Sequence, residues 1–95
     1  MTRQVEYTDT LKKKLKRFRS DIPVIEGFQR KAKELETFPD PNQYGELKRG
    51  KWKECRAEHI TSSVSFVFRY FKDIDFIQFI DLDDHKTLFG RDNRS

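Results

Sequence analysis

The chain has 95 residues, of which 38% are charged and 35% are hydrophobic, with a net charge of +4. This length excludes two independent cores, because each would bury too little apolar surface, so we expect a single domain over residues 1–95. A lone cysteine excludes an intramolecular disulfide and a cysteine-based zinc cluster, and we expect no metal site and no cofactor. No apolar run approaches the roughly 20 residues that span a bilayer, and the N-terminus lacks a signal-peptide core. We therefore expect a soluble, cytoplasmic protein without membrane contact.

The N-terminal segment predicts a short strand and a first helix. Residues 3–7 place Val5 and Tyr7 on one face, an alternation typical of a strand. Thr8 or Asp9 can cap the helix that follows, because their side-chain oxygens accept hydrogen bonds from free backbone N–H groups. The other faces of this helix are basic, which indicates either a solvated surface or a binding site. Its apolar stripe recurs at helical spacing, with Leu11, Leu15 and Phe18.

A second helix is predicted next, followed by a loop. Asp21 can cap this helix, and Pro23 fits its first turn, where the missing N–H costs little. We expect Gly27 to let the two helices approach closely. Two prolines just beyond the helix leave no room for more helix, and a loop is predicted to run to about Gly50. The apolar stripe consists of Val24, Ile25, Phe28, Ala32 and Leu35.

The C-terminal half predicts further strands over residues 52–60, 64–71 and 76–82. Residues 64–71 are largely apolar on both faces, so we expect this strand to be central. Cys55, in the middle of the opening strand, is either a packing residue or a reactive thiol. Trp52 is either a core anchor or a platform on which a base stacks. The element order β-α-α-β-β-β predicts an α+β domain, a mostly antiparallel sheet with the two-helix hairpin on one face.

The residues that can carry chemistry are two imidazoles among many cations. His59 lies at the end of the opening strand, and His85 lies near the C-terminus. Imidazole can accept or donate a proton near neutral pH, and cations can neutralise charge that grows on a phosphate. This set suits cleavage of RNA by attack of its own 2′-hydroxyl, and we expect the fold to bring both histidines into one groove. Either histidine can equally be an ordinary surface or hydrogen-bonded residue.

Two stretches resemble one known family. Residues 47–60, LKRGKWKECRAEHI, are similar to the segment L-x-G-x-W-K-G-Y-R-D-x-H of YafQ-type toxins in the RelE/ParE superfamily. Residues 84–90, DHKTLFG, resemble the closing signature T-H-x-x-L-F-G of the same toxins. The residues Glu6-Tyr7-Thr8 and the spacing of the two helices also match, so the likeness covers almost the whole chain.

The resemblance implies a RelE-like fold and a ribosome-dependent mRNA endonuclease that inhibits translation by metal-free acid and base catalysis. It also implies a cognate antitoxin that holds the toxin inactive in a hetero-oligomer, the toxin alone being monomeric. By resemblance, His85 acts in proton transfer, His59 lies in the same site, and Phe89 lines it. Our hypothesis is that His85 is the general acid and His59 the base. Arg56 matches the arginine of the first motif, either as a phosphate contact or as a residue that pairs across the sheet.

Two positions depart from the family pattern. Ser63 stands where the family usually has an acidic residue that supports general-base catalysis. Asp81 stands where the family places an arginine that steadies the phosphate, and Asp83 and Asp84 lie close by. We expect these carboxylates to favour the protonated form of His85, which suits a general acid, but also to repel the phosphate. Activity is then either attenuated or supported by a clamp from elsewhere.

Several cations are candidates for the phosphate contacts. Those in the opening segment are suggested by charge and position alone. Those nearer the C-terminus are candidates for the transition-state clamp that Asp81 does not supply. The predicted contacts are Lys48, Arg49, Lys51 and Lys53 in the first group and Arg69 and Lys86 in the second.

Two alternatives to the nuclease stay open. The first is a binding toxin of the ParE type, which inhibits another target such as gyrase or binds only its antitoxin. ParE-like toxins generally lack the closing histidine, so His85 favours the nuclease, whereas Ser63 and Asp81 favour the binder. The second is an RNA-binding module that uses the basic first helix, and it predicts steep salt dependence without cleavage.

Overall fold

The computed structural model describes residues 3–90. The strand β1 (Gln4–Tyr7) leads into the helices α1 (Asp9–Arg17) and α2 (Ile22–Thr37). Thr8 caps α1 by accepting a hydrogen bond from the N–H of Leu11, and Asp21 caps α2 in the same way. Both helix starts therefore lie where the capping residues predict them. No helix within these residues is long and apolar enough to cross a membrane.

The C-terminal half completes a five-stranded sheet. It contributes β2 (Glu46–Leu47), β3 (Arg56–His59), β4 (Val64–Phe71) and β5 (Phe76–Asp84), and it ends in a short helix, α3 (His85–Phe89). The strand order is β1-β5-β4-β3-β2, with β1 parallel to β5 and every other neighbouring pair antiparallel. The predicted α+β fold with a mostly antiparallel sheet is confirmed, and β4 is the central strand, as expected.

The main core lies between the helical hairpin and one face of the sheet. Phe28 of α2 packs edge-on against Phe66 and Phe79, with ring centroids 5.3 and 5.6 Å apart. Leu11 and Leu35 are completely buried in the same cluster. Burying one such side chain contributes about 2 kcal/mol to the free energy of folding, so this cluster holds the hairpin on the sheet.

The opposite face of the sheet carries a smaller apolar cluster that includes Cys55 and Leu88. The indole N–H of Trp52 donates to the carbonyl oxygen of Leu88 at 2.7 Å, which fastens α3 to the rest of the chain. Trp52 is therefore an anchor of this cluster. Burial raises the pKa of the Cys55 thiol, which makes it a packing residue and a poor nucleophile.

Three sequence expectations are wrong in detail. The opening strand begins at Arg56, because residues 50–52 form a 3₁₀ turn and Glu54 has a left-handed φ of 69°, so Cys55 precedes the strand. The final strand runs on to Asp84, and α3 follows it with too few residues to show a helical period. A Cβ on Gly27 would lie 2.6 Å from Cγ2 of Ile60, so this glycine allows α2 to approach the end of β3 and not α1.

Candidate active site

The sheet register brings both histidines to one point. His59, the last residue of β3, pairs directly with Ser65 on β4, so their side chains share one face of the sheet. The strand β5 ends at Asp84, opposite the start of β4, and His85 opens α3 there. The side chain of Asp84 caps α3 by accepting from the N–H of Thr87 at 2.8 Å, which sets the direction in which His85 leaves the sheet.

The two imidazoles face each other across a short gap. Nδ1 of His59 lies 3.0 Å from Nε2 of His85, and the rings stack with centroids 4.6 Å apart. Oγ of Ser65 lies 2.7 Å from Nε2 of His85 and 3.5 Å from Nδ1 of His59. One proton between the facing nitrogens makes a hydrogen bond, whereas two protons would set N–H against N–H. The geometry therefore favours a single proton shared between the two rings.

The pair lies in a cleft of about 300 Å³ that Lys48 and Phe89 also line. Phe89 meets His85 edge to face, with ring centroids 5.9 Å apart. Nζ of Lys48 lies 4.4 Å from the centroid of the Phe89 ring and 2.8 Å from a carboxylate oxygen of Glu46. The structure thus brings the predicted residues His59, His85, Lys48 and Phe89 together. We name this site the histidine cleft.

The pKa of His85 is lowered, which corrects the expectation that nearby carboxylates would favour its protonated form. Burial of the ring is the largest cause, and the positive charges of His59 and Lys48 act in the same direction. The carboxylate of Asp84 opposes these effects without reversing them. The imidazole of His85 is consequently neutral around pH 7 in the free protein.

Asp81 and Asp83 are not among the groups that shift the pKa of His85, and both are engaged by α1. Nζ of Lys14 lies 2.9 Å from a carboxylate oxygen of each, and a guanidinium nitrogen of Arg17 lies 3.3 Å from Asp83. Burial by itself lowers the pKa of Lys14, but the hydrogen bonds to both carboxylates outweigh it and raise that pKa above its usual value. These four residues form a charge-compensated group that we name the acidic cluster.

A second cleft, of about 510 Å³, adjoins the histidine cleft and shares Lys48 and Phe89 with it. The indole of Trp52 forms part of its wall, with Nζ of Lys51 5.2 Å from the centre of that ring. Among residues 3–90, every charged side chain that lines it is positive, and we name it the cationic cleft. The predicted phosphate contacts that line it are Lys48, Arg49, Lys51 and Lys86.

Three predicted phosphate contacts line neither cleft. Arg56 donates from Nε to the carbonyl oxygen of Tyr44 at 2.7 Å and from Nη2 to that of Gly45 at 2.9 Å, so it fastens β3 to the preceding loop. Arg69 pairs with Glu54 at 3.2 Å, at the other end of β4. Lys53 is exposed, just after the 3₁₀ turn that ends at Trp52.

Sequence reasoning missed Ser65. It is 2% exposed, yet the residues around it in β4 are buried and apolar. A serine in an otherwise apolar central strand is the signal that could have found it, because a buried hydroxyl needs a hydrogen-bond partner. Within residues 3–90, no group of three or more histidine, cysteine, aspartate or glutamate side chains is arranged to hold a metal ion.

No family model matches this chain, and no curated protein does. Solved structures do match. The chain is 20% identical to YafQ from Escherichia coli, with a TM-score of 0.76 over 93% of this chain and 99% of that one. A chain of the E. coli DinJ-YafQ toxin-antitoxin complex is 22% identical, with a TM-score of 0.75 over 95% of this chain and 100% of that one. A metal-bound toxin from Helicobacter pylori is 18% identical, with a TM-score of 0.73 over 92% of this chain and 99% of that one.

These similarities lie at the level of the fold. The chain has the RelE-like fold that YafQ also has. This is the fold that the two sequence motifs predicted.

Proposed function

We propose that this chain is the toxin of a type II toxin–antitoxin system and that it cleaves mRNA in the translating ribosome. The observation that carries the proposal is the histidine pair, with Nδ1 of His59 and Nε2 of His85 only 3.0 Å apart in an open cleft. The YafQ-type fold supports the same function.

The proposed reaction needs one base and one acid. The 2′-oxygen of the RNA attacks the adjacent phosphorus while the bond from phosphorus to the 5′-oxygen breaks, which leaves a 2′,3′-cyclic phosphate and a 5′-hydroxyl. His59 accepts the proton of the 2′-hydroxyl, and His85 donates a proton to the departing 5′-oxygen. Two imidazoles that share one proton supply these two roles in one site.

The lowered pKa of His85 fits this scheme once RNA is bound. In the free protein, burial, His59 and Lys48 lower that pKa. A phosphate in the cleft introduces negative charge beside the ring, and an opposite charge favours the protonated imidazole. RNA binding therefore favours the protonated form of His85, which is the form that can act as the general acid.

The cationic cleft is the proposed path of the RNA backbone. Its cations lie beside the histidine cleft, so they can hold the phosphates next to the scissile one. Lys48 borders both clefts and is the proposed clamp for the scissile phosphate, with Lys86 beside it. Asp81 is compensated by Lys14, so its charge is not expected to weaken this clamp.

The proposed partners are a cognate antitoxin, the ribosome and mRNA. A structurally similar chain comes from the E. coli DinJ-YafQ toxin-antitoxin complex. An acidic segment of an antitoxin would complement the cationic cleft and exclude RNA from it. We expect the toxin to be monomeric without that partner and to act in the cytoplasm.

One observation favours a binding toxin as the second candidate. Ser63, at the position where the family usually has an acidic residue, is exposed in the turn between β3 and β4 and brings no carboxylate to the histidine pair. A toxin of this kind would arrest its target by binding and would cut no RNA.

The test is mRNA cleavage in a translating extract, with the RNA ends mapped. The wild-type chain should cut within translated codons, and His85→Ala should lower the rate at least about a hundredfold, because a positioned proton donor contributes on that scale. Lys72→Ala, on the exposed turn between β4 and β5, is the control and should cut normally. If His85→Ala still arrests growth while the mRNA stays intact, the nuclease proposal is wrong and the binding toxin is the better interpretation.

A further inference from the structure

Ser65 is a polar side chain where the sheet otherwise buries apolar ones. It lies on the central strand β4, 2% exposed, between the buried residues Val64 and Phe66. Burying a hydroxyl without a partner is costly, so its hydrogen bonds decide whether it is tolerated there. Its side-chain contacts are the ring nitrogens of His85, at 2.7 Å, and His59, at 3.5 Å.

We propose that Ser65 is a positioning residue, whose hydroxyl holds the ring of His85 against that of His59 so that the two imidazoles share one proton. The catalytic consequence rests on the proposed function. The positioning itself rests on the contacts among the three side chains, and it can be tested without any RNA.

A hydroxyl suits this role because it can both donate and accept a hydrogen bond. When Nε2 of His85 carries no proton, it accepts from the hydroxyl of Ser65. When that nitrogen is protonated, Oγ of Ser65 is an acceptor at 2.7 Å, beside Nδ1 of His59 at 3.0 Å. The ring of His85 therefore keeps a bond to β4 in both protonation states and does not have to turn when a proton moves.

The strand geometry makes this support rigid. Ser65 is paired on one side with His59 of β3 and on the other with Asp83 of β5, so its backbone is held by ladders to both neighbours. A side chain with a single rotatable bond on such a strand has little freedom. By contrast, His85 leaves the sheet on a helix of only five residues, where its backbone N–H donates to the carbonyl oxygen of Ser63 at 3.0 Å and its ring is held by side-chain contacts.

Charged groups also lie around the pair. They come from β2 and the segment after it, from β3, from the end of β5 and from α3. A substitution at position 65 leaves these charged groups in place. A difference in titration between variants at that position therefore results from the loss of the Ser65 hydroxyl. These groups are Glu46, Lys48, Glu58, Asp84 and Lys86.

The experiment is a pH titration of ¹⁵N-labelled imidazoles by NMR, on the chain without a histidine tag. The protein has two histidines, so each signal can be assigned by substitution. In the wild type we expect a coupled titration with the pKa of His85 below its usual value. In Ser65→Ala we expect the rings to separate, the pKa of His85 to move up towards its usual value, and the tautomers to mix.

Cleavage is the second readout. Ser65→Ala should lower the rate by about tenfold or more, the scale expected for losing a hydrogen bond to a charged group, whereas Ser65→Thr keeps the hydroxyl and should restore most of it. Ser62→Ala removes an exposed hydroxyl from the neighbouring turn and should match the wild type in both readouts.

An unchanged titration in Ser65→Ala would overturn the positioning role, whatever happens to cleavage. If that variant does not fold, Ser65→Cys takes its place, because a thiol fills the space but bonds weakly. An altered titration in Ser65→Ala together with an inactive wild-type chain would reject the nuclease and keep the positioning role. The two proposals therefore fail separately.

Discussion

Two clusters of ionisable side chains lie near the carboxyl end of β5, and they differ in whether opposite or like groups are in contact. In the acidic cluster, Asp81 and Asp83 each have a cation within hydrogen-bonding distance. In the histidine cleft, His59 and His85 are like groups held face to face. Burial lowers the pKa of both Lys14 and His85, but only Lys14 has carboxylates that reverse the effect.

This difference distinguishes a cluster that supports the fold from a candidate site for proton transfer. In the acidic cluster each carboxylate is paired with a cation, so these side chains fasten α1 to β5. In the histidine cleft the carboxylate of Asp84 only partly offsets the effects that lower the pKa of His85, so the protonation of this ring can respond to a charge that enters the cleft. The acidic cluster, which supports the fold, and the candidate site therefore both lie near the carboxyl end of β5.

The largest expected effect on folding is at Asp83, whose side chain is completely buried. Asp83→Asn keeps the shape but removes the charge that Lys14 and Arg17 bind, and we expect the free energy of unfolding to fall by about 2 kcal/mol. Urea denaturation measures it, with the exposed Asp73→Asn as the matched control. Cleavage per folded molecule should stay near normal. Equal stability of the two variants would show that the acidic cluster does not support the fold.

A smaller effect is expected from the cationic cleft. Replacing Arg49 and Lys86 together by glutamine should weaken binding to single-stranded RNA about tenfold and reduce the slope of log affinity against log salt by about 1.4, because each lost phosphate contact removes about 0.7. Arg69→Gln, outside both clefts, is the control and should leave affinity and slope nearly unchanged. If Arg69→Gln lost as much RNA affinity, the RNA would not be confined to the cationic cleft, and Arg69 would be a phosphate contact as the sequence predicted.

The smallest expected effect is the pH dependence of stability. The pKa of His85 in the folded chain is lower than in the unfolded chain, where it is about 6.5. Between the two values the unfolded chain binds more protons, so stability is lost as the pH falls below about 6.5. Melting temperatures between pH 7.5 and 5 should decline less in His85→Gln than in the wild type. Parallel curves would mean that His85 titrates alike in both states.

Much of the fold could be predicted because its signals are local. Helix caps at Thr8 and Asp21 and the alternation in β4 depend on neighbours in sequence, and all three were found. The short strand β2 was missed, because two residues cannot show a period. The start of β3 was predicted too early, because a run of polar and cationic residues is typical of both a turn and an edge strand.

The candidate site was predicted only in part. The motifs named His59, His85 and Phe89, and the structure places all three at one cleft. The family pattern could not show that Asp81 is engaged by Lys14, because these residues are 67 positions apart. The expectation about the protonation of His85 failed because burial of the ring, together with His59 and Lys48, outweighs the carboxylate of Asp84.

The sequence by itself determined the element order, the helical and alternating patterns and the two histidine motifs, because each depends on residues close together in the chain. The tertiary structure decided which charges meet. It placed Lys14 on Asp81 and Asp83, tied Arg56 to backbone carbonyls, and set Ser65 against the histidine pair. Such pairings follow from strand register and helix packing, and their energies depend on distance and burial that only the folded chain defines.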